Sequence, residues 1–181
     1  KIVIYPYSRR KAKKLLEETG WKPGANGYRY KNGEKLALQL MTTSGDKTRE
    51  NVQVFLQNEW KKIGVDITIK NEPARVYFGQ TVRKAKYPGL AMYAWLSQPE
   101  QSPRSQLRSD EIPTEANGYS GQNSPGYVNP EVDELLEKLR VEFDADKRLP
   151  IIYRVLYHYT NDVPVIPLYY RAYISVTPDN L

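Results

Sequence analysis

Apolar positions along the chain follow two rhythms, one of about 3.6 residues and one of two, and their alternation predicts a mixed α/β fold. A first helix is expected from about Ser8, a good N-cap, with Ala12, Leu15 and Leu16 on one face and Gly20 as its stop; basic residues coat the other face. Tyr28 and Tyr30 then precede Lys31-Asn32-Gly33-Glu34, after which Leu36, Leu38 and Leu40 alternate with Ala37, Gln39 and Met41. That is a hairpin signature, and it would put tyrosines and leucines on one sheet face. Ser44-Gly45-Asp46 opens the strongest helix, with Val52, Phe55, Leu56, Trp60 and Ile63 at helical spacing before Gly64. Val65 to Ile69 returns to period two. Strand 36–42, helix 46–63 and strand 65–69 therefore predict a βαβ unit with a right-handed crossover.

A weaker helix from Pro73 to about Lys84 leads into Leu90-Ala91-Met92-Tyr93-Ala94-Trp95, a continuous apolar run that reads as a buried central strand. From Ser97 to Asn129 the chain is rich in Gln, Ser, Pro, Asn and Gly without periodicity, and ordered loops of such length are often functional. Pro130 begins a helix with Val132, Leu135, Leu136, Leu139 and Phe143 on one face. A second helix follows from about Asp144 or Asp146 to Asn161, with Pro150 expected near its first turn, where a missing N–H costs least. Residues 165–176 are strand-like and interrupted by prolines, which suggests sheet edges. There is no internal repeat.

A chain of 181 residues with 40% apolar content can bury one substantial core, so one domain is expected. The balance of 27 Lys and Arg against 21 Asp and Glu gives +6. Basic residues gather in Lys1 to Lys14 and from Arg75 through Arg83, Lys84 and Lys86, but acids return at Glu17, Glu18, Asp110, Glu111 and from Glu131 to Asp146. This is the distribution of a solvated surface, and nucleic acid is not the expected partner. The absence of Cys excludes disulfides, thiolate metal sites and a Cys nucleophile. No apolar run approaches the roughly 18 residues that span a bilayer. The opening Lys1-Ile2-Val3-Ile4-Tyr5-Pro6 lacks a signal-peptide pattern, so an export signal is expected outside these residues, and a start without Met suggests a piece of something larger.

Enzyme chemistry has little to draw on. The single histidine, His158, is unable to build a His-rich metal site or a His-based triad unaided. Asp144 and Asp146 lack calcium-loop spacing. There is no Walker loop, dinucleotide fingerprint or Gly-x-Ser-x-Gly elbow. The expectation is a protein that is not an enzyme and takes no cofactor or metal.

Four stretches, in this order, carry a resemblance. Tyr7 to Trp21 is similar to a helix of the form Asp-x-x-Lys-Ala-x-x-Leu-Leu-x-x-Ala-Gly-Trp, with Ser8 in place of the Asp. Val52 to Ile69 is similar to a helix-to-strand segment around Leu-Lys-x-Ile-Gly-Ile. Gly126-Tyr127-Val128-Asn129-Pro130-Glu131-Val132-Asp133-Glu134-Leu135-Leu136 resembles Gly-Tyr-x-Asn-Pro-Glu-Val-Asp-x-Leu-Leu, and Asp162 to Tyr169 resembles an Asp-x-Pro-x-Ile-Pro-Leu ending. Together they resemble the distal part of the peptide/nickel-type solute-binding proteins of ABC importers, the extracellular solute-binding protein family 5.

The resemblance implies one lobe of a periplasmic-binding-protein-like (type II) α/β fold, a mixed sheet flanked by helices, with residues 1–181 as part of the second lobe of a longer two-lobe protein. It implies an extracytoplasmic substrate-binding component, taking peptides or other small solutes in a cleft against a first lobe. Its partners would be that lobe and the membrane permease, and it would be lipid-anchored in a Gram-positive parent. For the site, it places Trp95 in the pocket at the end of a central strand, with Tyr93 on the same face. Family peptide binders often carry an acid three residues after this Trp, paired with the peptide's ammonium; here the residue is Gln98, whose neutral amide lacks charge-assisted pairing. Glu100 is the alternative anchor. Arg83 stands where some members direct Arg toward a ligand carboxylate, and Tyr119, with Tyr127 and Tyr169, are aromatics at the edges of the polar loop. Each has a plainer reading: Trp95 as core, the tyrosines as pins for the loop, and Asp133 as a stabiliser of a positive helix end. Two other functions fit the same residues, a ligand-sensing domain of a regulator and a basic nucleic-acid-binding domain whose affinity would fall steeply with salt.

Overall fold

The computed structural model describes residues 2–96, 101–170 and 176–178. Helix α1 (Arg9–Glu18) begins where Ser8 Oγ accepts a hydrogen bond from the Lys11 amide at 3.1 Å. Three short strands follow, β1 (Lys22–Pro23), β2 (Arg29–Lys31) and β3 (Glu34–Lys35), in an antiparallel sheet turned at Asn32-Gly33, both at positive φ. The expected hairpin is confined to β2 and β3, and the leucines lie elsewhere. The reason is Arg29, a buried cation whose guanidinium donates to the Ile63 and Trp21 carbonyls, each at 2.7 Å, and to Glu17 at 2.9 Å. Those bonds fasten the small sheet to the ends of two helices, so Tyr28 and Tyr30 do not share the leucines' sheet.

The leucine strand, β4 (Ala37–Thr43), is the centre of a separate parallel sheet, flanked by β5 (Asp66–Glu72) and β6 (Gly89–Ala91). Helix α2 (Lys47–Lys61), capped by the Asp46 carboxylate, joins β4 to β5 as the expected βαβ unit. Leu40, Val65 and Ile67 are buried under Leu56, Trp60 and Ile63 on one face. On the other face Met41 packs with Tyr77 and Val82. Those two come from a helical segment, α3 (Ala74–Val76), that runs on into a π-helical turn (Tyr77–Val82). Burial on both faces of β4 is what a parallel strand requires. The fold class is α/β with sheets flanked by helices, the parallel and antiparallel pairings being carried by two sheets.

The run expected as a central strand pairs over only three residues and lies at the edge of the described sheet. Its entry depends on Gly89, where a Cβ would fall 2.5 Å from the Gln39 carbonyl oxygen. Beyond Ala91 the Met92 amide still donates to Met41 at 2.8 Å, and the chain then leaves the ladder.

The loop after the sheet contains α4 (Arg104–Leu107) and a 3-10 turn (Ser109–Glu111), and it leads to the antiparallel pair α5 (Pro130–Val141) and α6 (Ala145–Asp162). Leu107, Val132, Leu136 and Val155 form a second core here. Phe143, expected on the apolar face of α5, is 89% exposed, because the helix stops at Val141 and Asp144 is taken as the cap of α6. Pro150 lies inside α6, in its second turn rather than its first. Residues 163–170 form no strand, and Arg171 to Ser175 lie outside the described residues. Among the described residues no helix is long and apolar enough to cross a membrane.

The motif around Asn129 is absorbed by this helix pair. Asn129 Oδ1 accepts from the Glu131 and Val132 amides, and its Nδ2 donates to Asp162 at 3.1 Å. Tyr127 donates to Asp162 at 2.6 Å, while Asp133 accepts from the Ser109 amide at 2.9 Å. His158 is buried with Nε2 3.0 Å from Glu131. Asp133, Tyr127 and Asn129 thus hold α5, α6 and the preceding loop together.

Candidate functional site

Past Met92 the chain turns its aromatic side chains onto the surface that the π-helical turn leaves open. Tyr93 packs edge-on against Phe78 at 5.9 Å between ring centroids and against the buried Tyr77 at 6.5 Å, with Trp95 at 6.2 Å on its other side. Edge-to-face rings at such distances attract through their quadrupoles, so the cluster is stabilised beyond what burial alone supplies. Tyr77 anchors it: its hydroxyl lies 3.1 Å from the Met41 carbonyl oxygen and 3.2 Å from that of Met92. Burial pushes the Tyr77, Tyr87 and Tyr93 phenols up from their ordinary value, in Tyr93 against a hydrogen bond with the Ser124 side chain. With the Gln106 carboxamide oxygen facing the indole, Trp95 Nε1 donates to it at 2.8 Å. The ring is held at its polar edge, yet the residue is 45% exposed.

Opposite stands a polar wall, residues 118–124, held by side chains bonding to backbone. Asn123, fully buried, donates from Nδ2 to the Arg108 and Tyr127 carbonyls, each at 2.8 Å, and accepts from the Tyr127 amide at 3.0 Å. Tyr87 donates to the Ser124 carbonyl at 2.6 Å. Gly121 has no room for a side chain, since a Cβ would lie 1.9 Å from the Glu111 carbonyl oxygen. Arg83 donates to the Tyr119 and Gly118 carbonyls, and Lys84 stands over the Tyr119 ring.

Between the walls lies an open hollow of about 280 Å³. Trp95, Tyr93, Tyr119 and Arg83, proposed separately from the sequence, all line it. Gln98 and Glu100 lie outside the described residues. Tyr127, bonded to Asp162, and the exposed Tyr169 are not in the lining. Phe78, Val82, Ala94, Ser120, Gly121, Gln122 and Ser124 complete it without having been named as site residues. Phe78 carried one usable signal, its place beside Tyr77 in the helix leading to the sheet edge. Among the described lining residues Arg83 is the one ionised side chain, and the rest offer aromatic and aliphatic faces, hydroxyls, an amide and glycine backbone. Such a surface stacks and hydrogen-bonds a ligand. No group of three or more His, Asp or Glu among the described residues is placed to hold a metal ion.

Comparison with known proteins gives one consistent answer. Residues 2–111, more than half of the chain, match the family model of bacterial extracellular solute-binding proteins, family 5 Middle. The oligopeptide-binding protein AppA of Bacillus subtilis is 26% identical over 98% of this chain and 32% of its own length. The nickel-binding periplasmic protein of Escherichia coli is 24% identical over 97% of this chain and 33% of its own. Among solved structures, the oligopeptide-binding protein of Thermus thermophilus complexed with a pentapeptide superposes with a TM-score of 0.86 at 31% identity. That match covers 94% of this chain and 31% of the other. The chain spans about a third of the length of each of these relatives.

Proposed function

Since this chain belongs to the bacterial extracellular solute-binding proteins, family 5, we propose that it is part of the second lobe of a longer two-lobe protein, binding oligopeptides against the hollow between Trp95 and Tyr119. The observation that carries the reading is the convergence of Trp95, Tyr93 and Tyr119 on one open surface, from two separate parts of the chain. A volume of about 280 Å³ is slightly below the roughly 300–1,000 Å³ of a complete small-molecule pocket, as suits one wall of a cleft that a second lobe closes. In this role the protein is the extracytoplasmic binding component of an ABC importer and hands its ligand to a membrane permease; a lipid anchor on the parent belongs to the same reading. The mostly uncharged lining, with Arg83 its one ionised side chain, suits a peptide backbone, whose amides and carbonyls need partners once water leaves. The proposal asks no catalysis of any residue.

Loss of one lobe would halve the buried ligand surface while the entropic cost of binding stays, so the chain by itself binds weakly. Titration calorimetry of the full-length protein with a mixed-length peptide library at two salt concentrations tests the reading. Expected are tight, salt-insensitive binding and a loss of roughly tenfold or more on Trp95→Ala, in line with a buried aromatic anchor. Silence toward every peptide would sink the assignment and turn attention to non-peptide solutes, such as the nickel of the Escherichia coli relative.

A further inference from the structure

The basic stretch that closes the π-helical turn sends two side chains across to the polar wall. Arg83 Nε donates to the Tyr119 carbonyl oxygen at 3.0 Å and its Nη2 to the Gly118 carbonyl oxygen at 3.2 Å. Lys84 Nζ lies 5.3 Å from the centroid of the Tyr119 ring, within cation–π range. The backbone gripped in this way needs holding. Gly118 has φ +63° and Tyr119 φ +57°, and the left-handed region is one that a residue with a large side chain rarely enters. The Tyr119 amide is tied as well, to the Thr114 carbonyl at 2.8 Å. The Nε and Nη2 edge of Arg83 is thus spent on two successive carbonyls of its own protein, and that edge is closed to a ligand carboxylate.

We infer that Arg83 and Lys84 are positioning residues for Tyr119: Arg83 fixes the strained backbone, Lys84 holds the ring, and the ring meets the ligand opposite Trp95. The inference rests on the reading of the hollow as the ligand site. It replaces direct carboxylate capture by Arg83 with an effect transmitted through a tyrosine.

The test uses the full-length protein and one oligopeptide prepared with a free carboxy terminus and as its carboxamide. Arg83→Ala is expected to weaken both by the same factor, roughly three- to tenfold, the size of one or two exposed hydrogen bonds. Arg83→Lys should not rescue, because an ammonium has no fork. In a Tyr119→Ala background the Arg83→Ala loss should largely vanish, since the two act on one contact. Without ligand, Arg83→Ala should speed amide exchange in residues 114–121 and leave residues 37–43 unchanged. A loss confined to the free-carboxylate peptide, an additive double variant, or unchanged exchange in 114–121 would each overturn the inference. If the wild type binds neither peptide, the reading of the hollow fails, and the exchange measurement still decides whether Arg83 positions Tyr119.

Discussion

Tyr93 and Trp95 reach the hollow because a sheet edge resting on a buried apolar cluster delivers them there, whereas Tyr119 reaches it because side chains have tied down a loop that buries little apolar surface. The sheet wall stands on Met41, Tyr77 and Val82, an apolar cluster whose burial is worth kilocalories per side chain. The loop wall stands on hydrogen bonds from Asn123, Arg83 and Tyr87, each worth about 1 kcal/mol net, and on the close approach of Gly121 to the Glu111 backbone. Under the proposed reading, this division would let the loop face yield locally to a ligand without unfolding the core beneath the other face.

The largest way to break the comparison is at Tyr77. Tyr77→Ala empties a fully buried ring site and should cost roughly 3–5 kcal/mol in urea unfolding, with both walls lost together. Asn123→Ala should cost about 1–3 kcal/mol, because it strands buried backbone groups, and most of that should appear as faster exchange confined to the loop. If Asn123→Ala unfolded the protein as completely as Tyr77→Ala, the two walls would not differ as described. Tyr77→Phe, which keeps the ring and removes only the hydroxyl, should cost about 1 kcal/mol in the same assay.

The smallest effect is one of pH, away from either wall. Bonds from the Tyr127 hydroxyl first, and then the Asn161 amide, hold the Asp162 carboxyl below its ordinary value of 3.8. A depressed folded value means that these bonds add stability above the ordinary value and lose it as pH falls through the folded one. Urea titrations between neutral and strongly acidic pH should therefore show a small destabilisation in the wild type that Asp162→Asn reduces. Equal pH profiles for the two proteins would remove Asp162 from the account.

The parts that burial builds were legible in the sequence, and the parts that side-chain hydrogen bonds build were not. The β4–α2–β5 unit follows from Leu38, Leu40, Leu56 and Trp60 at their two spacings, and Trp95 and Tyr93 follow from the apolar run and the resemblance. Phe78 was missed because a π-helical turn adds a residue to each winding and shifts the apolar face away from a 3.6-residue pattern. Within the described sheet Leu90 to Trp95 do not take the central place expected, because those residues are apolar for two different reasons, a short ladder and an aromatic cluster beyond it. The partners of Arg83 are backbone carbonyls at a separation of 35 and 36 residues, and no side-chain pattern announces a carbonyl.

The central claim is that ligand meets Trp95. The measurement that tests it most directly is a fluorine resonance titration of the full-length protein carrying fluorotryptophan, with the Trp95 signal assigned through Trp95→Phe and oligopeptide added. The Trp95 resonance should move with saturation at the same concentration as the calorimetric heat, while Trp60, packed against the sheet core, keeps its position. Peptide binding that leaves the Trp95 resonance unmoved would contradict the account and place the ligand elsewhere.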